Sequence, residues 1–139
     1  MKTATVKAVR GECQVCGREY GASGGKVAHH GYRRPGGGFG QTRSCAGARG
    51  RPYAVACDAL GRHLVRLLSV LDRLRAELEG LVDETAPASR FGNRYLPAHG
   101  LYRLARRESM ARVRGEIRQL EAQIEASTVR YLVWEKRAG

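Results

Sequence analysis

Residues 1–57 of this chain contain neither leucine nor isoleucine, yet they hold 12 of its 18 glycines. The larger apolar side chains there are few: Val6, Val9, Val15, Val27, Phe39 and Val55, with Tyr20, Tyr32 and Tyr53. Such a segment cannot bury enough area to offset the entropy of ordering its backbone. Either it stays unfolded or something other than an apolar core holds it. Cys13-Gln14-Val15-Cys16-Gly17 supplies the means. Two cysteines two residues apart, followed by a glycine that permits a tight turn, aim both sulfurs at one ion. Binding of a structural zinc ion is worth ~10–16 kcal/mol in apparent free energy, enough to order a small module.

A tetrahedral zinc ion needs two further donors. His29, His30, Cys45 and Cys57 are the candidates. Neighbours on a strand point to opposite faces, so only one of His29 and His30 can face the cysteine pair. Cys57 ends the apolar run Tyr53-Ala54-Val55-Ala56, where a free thiol behaves as a small hydrophobe. Cys13, Cys16, one histidine and Cys45 are therefore preferred over the four cysteines. Four protein ligands close the coordination sphere, which makes the expected zinc structural rather than catalytic.

The rest of the N-terminal segment reads as short strands. Alternation predicts one over 3–9, and two more over 18–22 and 26–30 joined at Ser23-Gly24-Gly25. A glycine-rich loop with two arginines and two aromatics follows over 31–40. From Leu60 the period changes. Leu60, Leu64, Leu67, Leu71, Leu74, Leu78 and Leu81 are spaced 4-3-4-3-4-3, a coiled-coil seam. Pro87 ends that helix, and 84–100 reads as an irregular loop. Met110, Val113, Ile117, Leu120 and Ile124 repeat the seam on a second helix beginning near Leu101. Two stripes joined by a loop predict an antiparallel helical hairpin over 58–127. The β-branched and aromatic tail, 128–139, is expected to return as a strand against the N-terminal module. The expected fold class is α+β: a zinc-held β-rich module over 1–57, then a coiled-coil-like hairpin. The same seam can also close between two chains, so a homodimer is a second expectation.

Net charge is +12 and the pI is about 10.3. Arginine outnumbers lysine 21 to four, and its planar fork suits phosphate and carboxylate. Two clusters interleave arginine with aromatics: Arg33, Arg34, Arg43, Arg49 and Arg51 around the glycine loop, and Arg90, Arg94, Arg103, Arg106 and Arg107 where the hairpin turns. No acid lies between Glu84 and Glu108. These surfaces point to a polyanionic partner, nucleic acid or a nucleoprotein complex, with an acidic protein surface as the rival. No stretch approaches the ~20 apolar residues of a membrane helix. The N-terminus lacks the apolar core of a signal peptide, so an intracellular, cytoplasmic protein is expected.

Cys13-x-x-Cys16, His29-His30-Gly31-Tyr32-x-Arg34-Pro35-Gly36, Cys45-x-Gly47 and Pro52-Tyr53 together resemble a group of small zinc-site proteins of bacteriophages and bacterial mobile elements, over about residues 11–60. The resemblance implies that His30 and Cys45 complete the site, with no equivalent of Cys57. It implies a phage or mobile-element role, including interference with host defence through a protein partner, and no particular activity. The paired histidines beside the cysteines are also similar to HNH-type treble-clef nucleases. Those require an Asn and a further metal-binding His in a following helix, whereas the downstream helix here offers only His63, with no Asn near it. No catalytic residues are assigned, and a non-enzymatic protein is expected.

Overall fold

The protein, seen in a computed structural model, is described over residues 10–31 and 44–138. The strand expected over 3–9 lies outside these residues, as do Tyr32, Phe39 and most of the glycine loop with Arg33, Arg34 and Arg43. The described chain is α+β. In order it forms β1 (Arg10–Glu12), β2 (Glu19–Ser23), β3 (Lys26–Val27), α1 (Asp58–Val82), β4 (Ala88–Arg90), β5 (Asn93–Tyr95) and α2 (Tyr102–Ala138). It divides into two compact units, Met1–Leu64 with Val129–Gly139, and Val65–Thr128. Both boundaries fall inside helices rather than at the expected 57/58 and 127/128.

In the first unit, β1, β2 and β3 make an antiparallel sheet in that order, with Gly11 opposite Tyr20 and Ala22 opposite Val27. The β2–β3 loop is Gly24-Gly25, with φ of 60° and 72°. Positive φ at both positions matches the right-handed twist of the flanking strands and suits glycine. β3 is shorter than expected, and its far edge is paired with a later segment. Val27 N–H donates to Gly50 O and Arg49 N–H to Val27 O, each at 2.8 Å. Two small apolar clusters lie here. Cys13, Val15, Val27 and Cys45 form one, and Tyr53, Cys57 and Leu60 the other, against Tyr131 and Trp134.

The C-terminal tail is helical, which corrects the expected strand. The β preference of Val129, Tyr131 and Val133 amounts to tenths of a kcal/mol each, less than the contacts made on one helical face. Arg130 and Trp134 are one turn apart on that face. Tyr53 Oη–H donates to Arg130 O at 2.6 Å, and Trp134 Nε1–H donates to Tyr53 O at 2.6 Å. The tail thus reaches the N-terminal module as expected, but through side chains of a helix and not through strand pairing. The α2 seam continues at Ser127, Tyr131 and Trp134 with the same 3-4-3 spacing. The polar Ser127 hides that continuation from a search for apolar periodicity.

In the second unit α1 and α2 run antiparallel. Following α1 from Arg75 to Leu81, the partners on α2 fall from Glu121 to Arg106. Leu67, Leu71, Leu74, Leu81, Val113 and Leu120 are buried between them, with Leu78, Met110, Ile117 and Ile124 packed alongside. The two stripes expected from the heptads are therefore the core of this unit. Glu84, at φ 57°, turns the chain out of α1. Thr85 N–H and Ala86 N–H donate back to Gly80 O at 2.9 and 3.0 Å, satisfying a carbonyl the helix leaves open.

The segment 84–100 is not wholly irregular: β4 and β5 pair as a hairpin over Phe91-Gly92. Three-residue strands are too short to show alternation. Ser109, on α2 and buried, accepts from Ser89 N–H and donates to Ser89 O, at 3.0 and 3.1 Å, and fixes the hairpin to the helix. Gly115 lies mid-helix, with open space where a Cβ would project. It costs α2 about 1 kcal/mol relative to Ala. Among the described residues, no helix is long and apolar enough to cross a membrane.

Candidate metal centre

Two backbone turns present the sulfurs. In the first, Gly17 N–H donates to Cys13 O at 3.0 Å and Cys13 N–H to Arg18 O at 2.8 Å. Gly17 takes φ 72°, a left-handed conformation that glycine adopts without a Cβ penalty. In the second, Ala48 N–H donates to Cys45 O and Gly50 N–H to Gly47 O, at 3.0 and 3.1 Å. Gly47 lies against the first turn. A Cβ on it would overlap Cys13 Sγ and lie within 3.3 Å of Val15. Cys45 N–H donates to His30 O at 2.9 Å, which puts the second turn beside the histidine strand.

The side chains of Cys13, Cys16, His30 and Cys45 converge, with one ligand atom from each and all four within 4.8 Å of one another. Cys13 Sγ lies 3.7 Å from Cys45 Sγ, and Cys16 Sγ lies 3.5 Å from His30 Nε2. A tetrahedron with metal–sulfur bonds of about 2.3 Å and a metal–nitrogen bond of about 2.05 Å has S–S edges near 3.8 Å and S–N edges near 3.6 Å. The Cys13–Cys45 and Cys16–His30 edges match those lengths, and the remaining edges stay within 4.8 Å, a cluster that could hold such an ion.

His30 is oriented for coordination. Its Nδ1 is 2.8 Å from Ala28 O. A carbonyl only accepts, so Nδ1 carries the proton and Nε2 turns a lone pair toward the sulfurs. The ring of Tyr20 stacks on it at 3.7 Å, 13° from parallel. His29 points the other way, as alternation requires, and its Nε2 bonds Ser44 Oγ at 2.7 Å on the exposed side. Cys57 sits apart, buried with Tyr53 and Leu60, where burial pushes its thiol up. The cluster is therefore the histidine-containing set, with His30 as the histidine.

The three sulfurs compete for charge. Donation first from Cys13 and then from Cys45 favours the Cys16 thiolate. Cys13 is held up chiefly by its bond to Cys16, and Cys45 by its bond to Cys13. A divalent cation among them removes this competition and lets all three ionise.

Residues not singled out from the sequence organise the surroundings. Gln14, between the two cysteines, is fully buried. Its Oε1 accepts from Ala59 N–H at 2.8 Å and Leu60 N–H at 3.2 Å. Its Nε2 donates to Arg51 O at 2.8 Å and to Asp58 Oδ1 at 3.2 Å. Gly61 N–H donates to Cys57 O, so Cys57 occupies the N-cap position of α1 without an oxygen to offer. Gln14 satisfies in its place the two N–H groups that an N-cap side chain would take. That donated bond is also the leading cause that holds the Asp58 carboxyl below its usual range. Arg130 ties the same turn to α2. Its Nε donates to Gln14 O at 3.0 Å, and its Nη2 to Cys13 O at 3.1 Å and Glu12 Oε1 at 2.6 Å. Its guanidinium lies 3.8 Å from the centre of the Tyr53 ring.

The arginines expected to bind a partner separate into two kinds. Arg90 Nε donates to both carboxylate oxygens of Glu108, at 3.1 and 3.2 Å, with the guanidinium over the Phe91 ring. Arg106 donates to Leu81 O at 2.6 Å and Val82 O at 3.0 Å, capping the end of α1, and pairs with Glu84. Arg51 lies 3.6 Å from Asp58. Arg49, Arg94, Arg103 and Arg107 are exposed, and no acid among the described residues is set against them. Of the interleaved aromatics among the described residues, Tyr53 and Tyr102 are buried, Tyr95 packs on the core, and Phe91 is exposed at 87%. No protein-family model, curated protein or solved structure matches the chain.

Proposed function

We propose that Cys13, Cys16, His30 and Cys45 hold a structural zinc ion, and that the protein is a non-enzymatic binder of nucleic acid. Three thiolates and one imidazole are a soft donor set suited to zinc, and the Cys13–Cys45 and Cys16–His30 edges agree with its bond distances. When bound, the ion supplies folding free energy to a segment that lacks an apolar core. Cys13, Cys16, His30 and Cys45 fill its four positions, leaving none for substrate or water. Elemental analysis is expected to give one zinc per chain, and a chelator should unfold the first unit while α1 and α2 stay helical in the second.

The observation that carries the binding reading is the set of exposed arginines without acidic partners, Arg94, Arg103 and Arg107 among them, on a chain of net charge +12. Such cations attract phosphate, and the affinity must fall steeply with salt as counterions are released. Fluorescence anisotropy with labelled nucleic acids over a salt series tests it. Absence of binding at low salt overturns the reading.

A second reading is a module that docks on a host protein, in keeping with a phage role. The exposed Phe91 and Leu96, at 87% and 66%, favour it as apolar contact residues. It requires a stoichiometric complex that survives nuclease treatment. An HNH-type nuclease has less support, because His30 turns Nε2 into the cysteine cluster and His29 is bonded to Ser44.

A further inference from the structure

Within the second unit α2 carries six arginines: Arg103, Arg106, Arg107, Arg112, Arg114 and Arg118. Two are neutralised. Arg106 caps α1 and pairs with Glu84, while Arg112 bonds Glu77 and Glu116 at 3.1 and 2.9 Å. The other four, Arg103, Arg107, Arg114 and Arg118, are exposed and face no acid among the described residues. They fall at i, i+4, i+11 and i+15. At 3.6 residues per turn those positions lie within about 60° of one another around the helix axis, and they span about 22 Å along it. The unpaired arginines of α2 within this unit are therefore gathered in one straight stripe, which Glu121 and Glu125 end.

A second feature lies beside the stripe. Gly115 stands between Arg114 and Arg118, weakens the helix, and has nothing within 4 Å of where its Cβ would be. No packing among the described residues accounts for a missing side chain there. Ala111, also exposed, adjoins the same flank. Small residues beside fixed cations let another backbone approach the helix surface closely.

We propose that this flank of α2 is a track for the phosphate backbone of a nucleic-acid duplex, read without regard to sequence. The proposal rests on the nucleic-acid reading above and adds its surface and its ligand class. Four unpaired cations in line complement a duplex, which carries one negative charge per ~1.7 Å of its axis. Aromatic platforms, which hold single strands by stacking, are absent from the stripe. It also lacks the apolar or aromatic anchor of a protein interface.

The test uses the full chain, with short labelled DNA and RNA duplexes and a matching single strand. Arg114→Gln with Arg118→Gln should make the logarithmic salt slope of duplex binding shallower by about 1.8, because two phosphate contacts are lost. Arg66→Gln with Arg73→Gln removes the same charge from exposed positions on α1 and should leave the slope nearly unchanged. Equal effects of the two pairs overturn the track in favour of diffuse attraction. Gly115→Leu should raise the thermal midpoint and still weaken duplex binding severalfold; unchanged binding overturns the close approach. Preference for the single strand, or displacement of duplex by polyglutamate at equal charge, also overturns the proposal. Comparison of the DNA and RNA arms identifies which duplex is preferred. If the wild-type chain binds no nucleic acid at low salt, the broader reading fails as well. If it binds while Arg114→Gln with Arg118→Gln keeps the wild-type slope, only the track fails.

Discussion

Gln14 is the place to break the link between the cysteine turn and α1 without touching a metal ligand. Gln14→Ala removes four hydrogen bonds from a fully buried side chain. Loss of an N-cap partner costs about 1 kcal/mol, with 2 as the upper end. The Arg51 carbonyl, in a part-buried bond, loses its donor, and an unsatisfied group there costs about 1–3 kcal/mol. The combined loss is about 3 kcal/mol, because Asp58 is half-exposed and water can replace its bond. With the proposed ion bound, metal binding and folding of this unit would be coupled, so the same 3 kcal/mol should appear as about 150-fold weaker apparent metal affinity. Competition against a chromophoric chelator measures that affinity, and urea unfolding with excess metal measures stability. Gln14→Glu keeps the acceptor for Ala59 and Leu60, loses the donor, and sets a second carboxylate beside Asp58, so it should not restore binding. Wild-type affinity in Gln14→Ala, with its metal stoichiometry intact, would refute the claim that the cap couples site and helix.

Further outcomes follow from neighbouring contacts. Cys57→Ser should keep one metal per chain and lower stability by about 1–2 kcal/mol through a buried hydroxyl, whereas Cys45→Ser should lose the metal; elemental analysis separates them. Gly47→Ala should weaken metal binding at least tenfold, because the new methyl and Cys13 Sγ cannot share the space; wild-type affinity there would refute the packing argument. Arg106→Met should cost about 1–2 kcal/mol in thermal unfolding by uncapping α1, while Arg103→Gln should leave stability unchanged.

Several features were legible because they depend on short-range rules. The Cys13–Cys16 turn needs only the spacing and Gly17. The Gly24-Gly25 hairpin needs only residues at ease with positive φ. The leucines from Leu67 to Leu81 read directly as a buried stripe because a helix repeats every 3.6 residues. The choice between His29 and His30 was half legible: alternation allows only one of them, and the Ala28 carbonyl selects His30. The fate of Arg106 and Arg90 was not legible. Nothing local distinguishes an arginine that caps a distant helix end from one that stays in solvent. The tail's β preference is misleading by itself, because Tyr131 and Trp134 have meaning only once Tyr53 is opposite them.

The sequence by itself determined that 1–57 is too poor in large apolar residues to build a sizeable core, that soft metal-ligand residue types are spaced along it, and that two long amphipathic helices follow. Composition and period suffice for such conclusions, since each rests on residues close in the chain. Only the tertiary structure decided that Gln14 would cap α1 across 45 residues, that Arg130 would hold the cysteine turn from 117 residues away, and which arginines remain unpaired. Those outcomes depend on hydrogen bonds and ion pairs of a few ångströms between distant segments, and no local pattern encodes which segments meet.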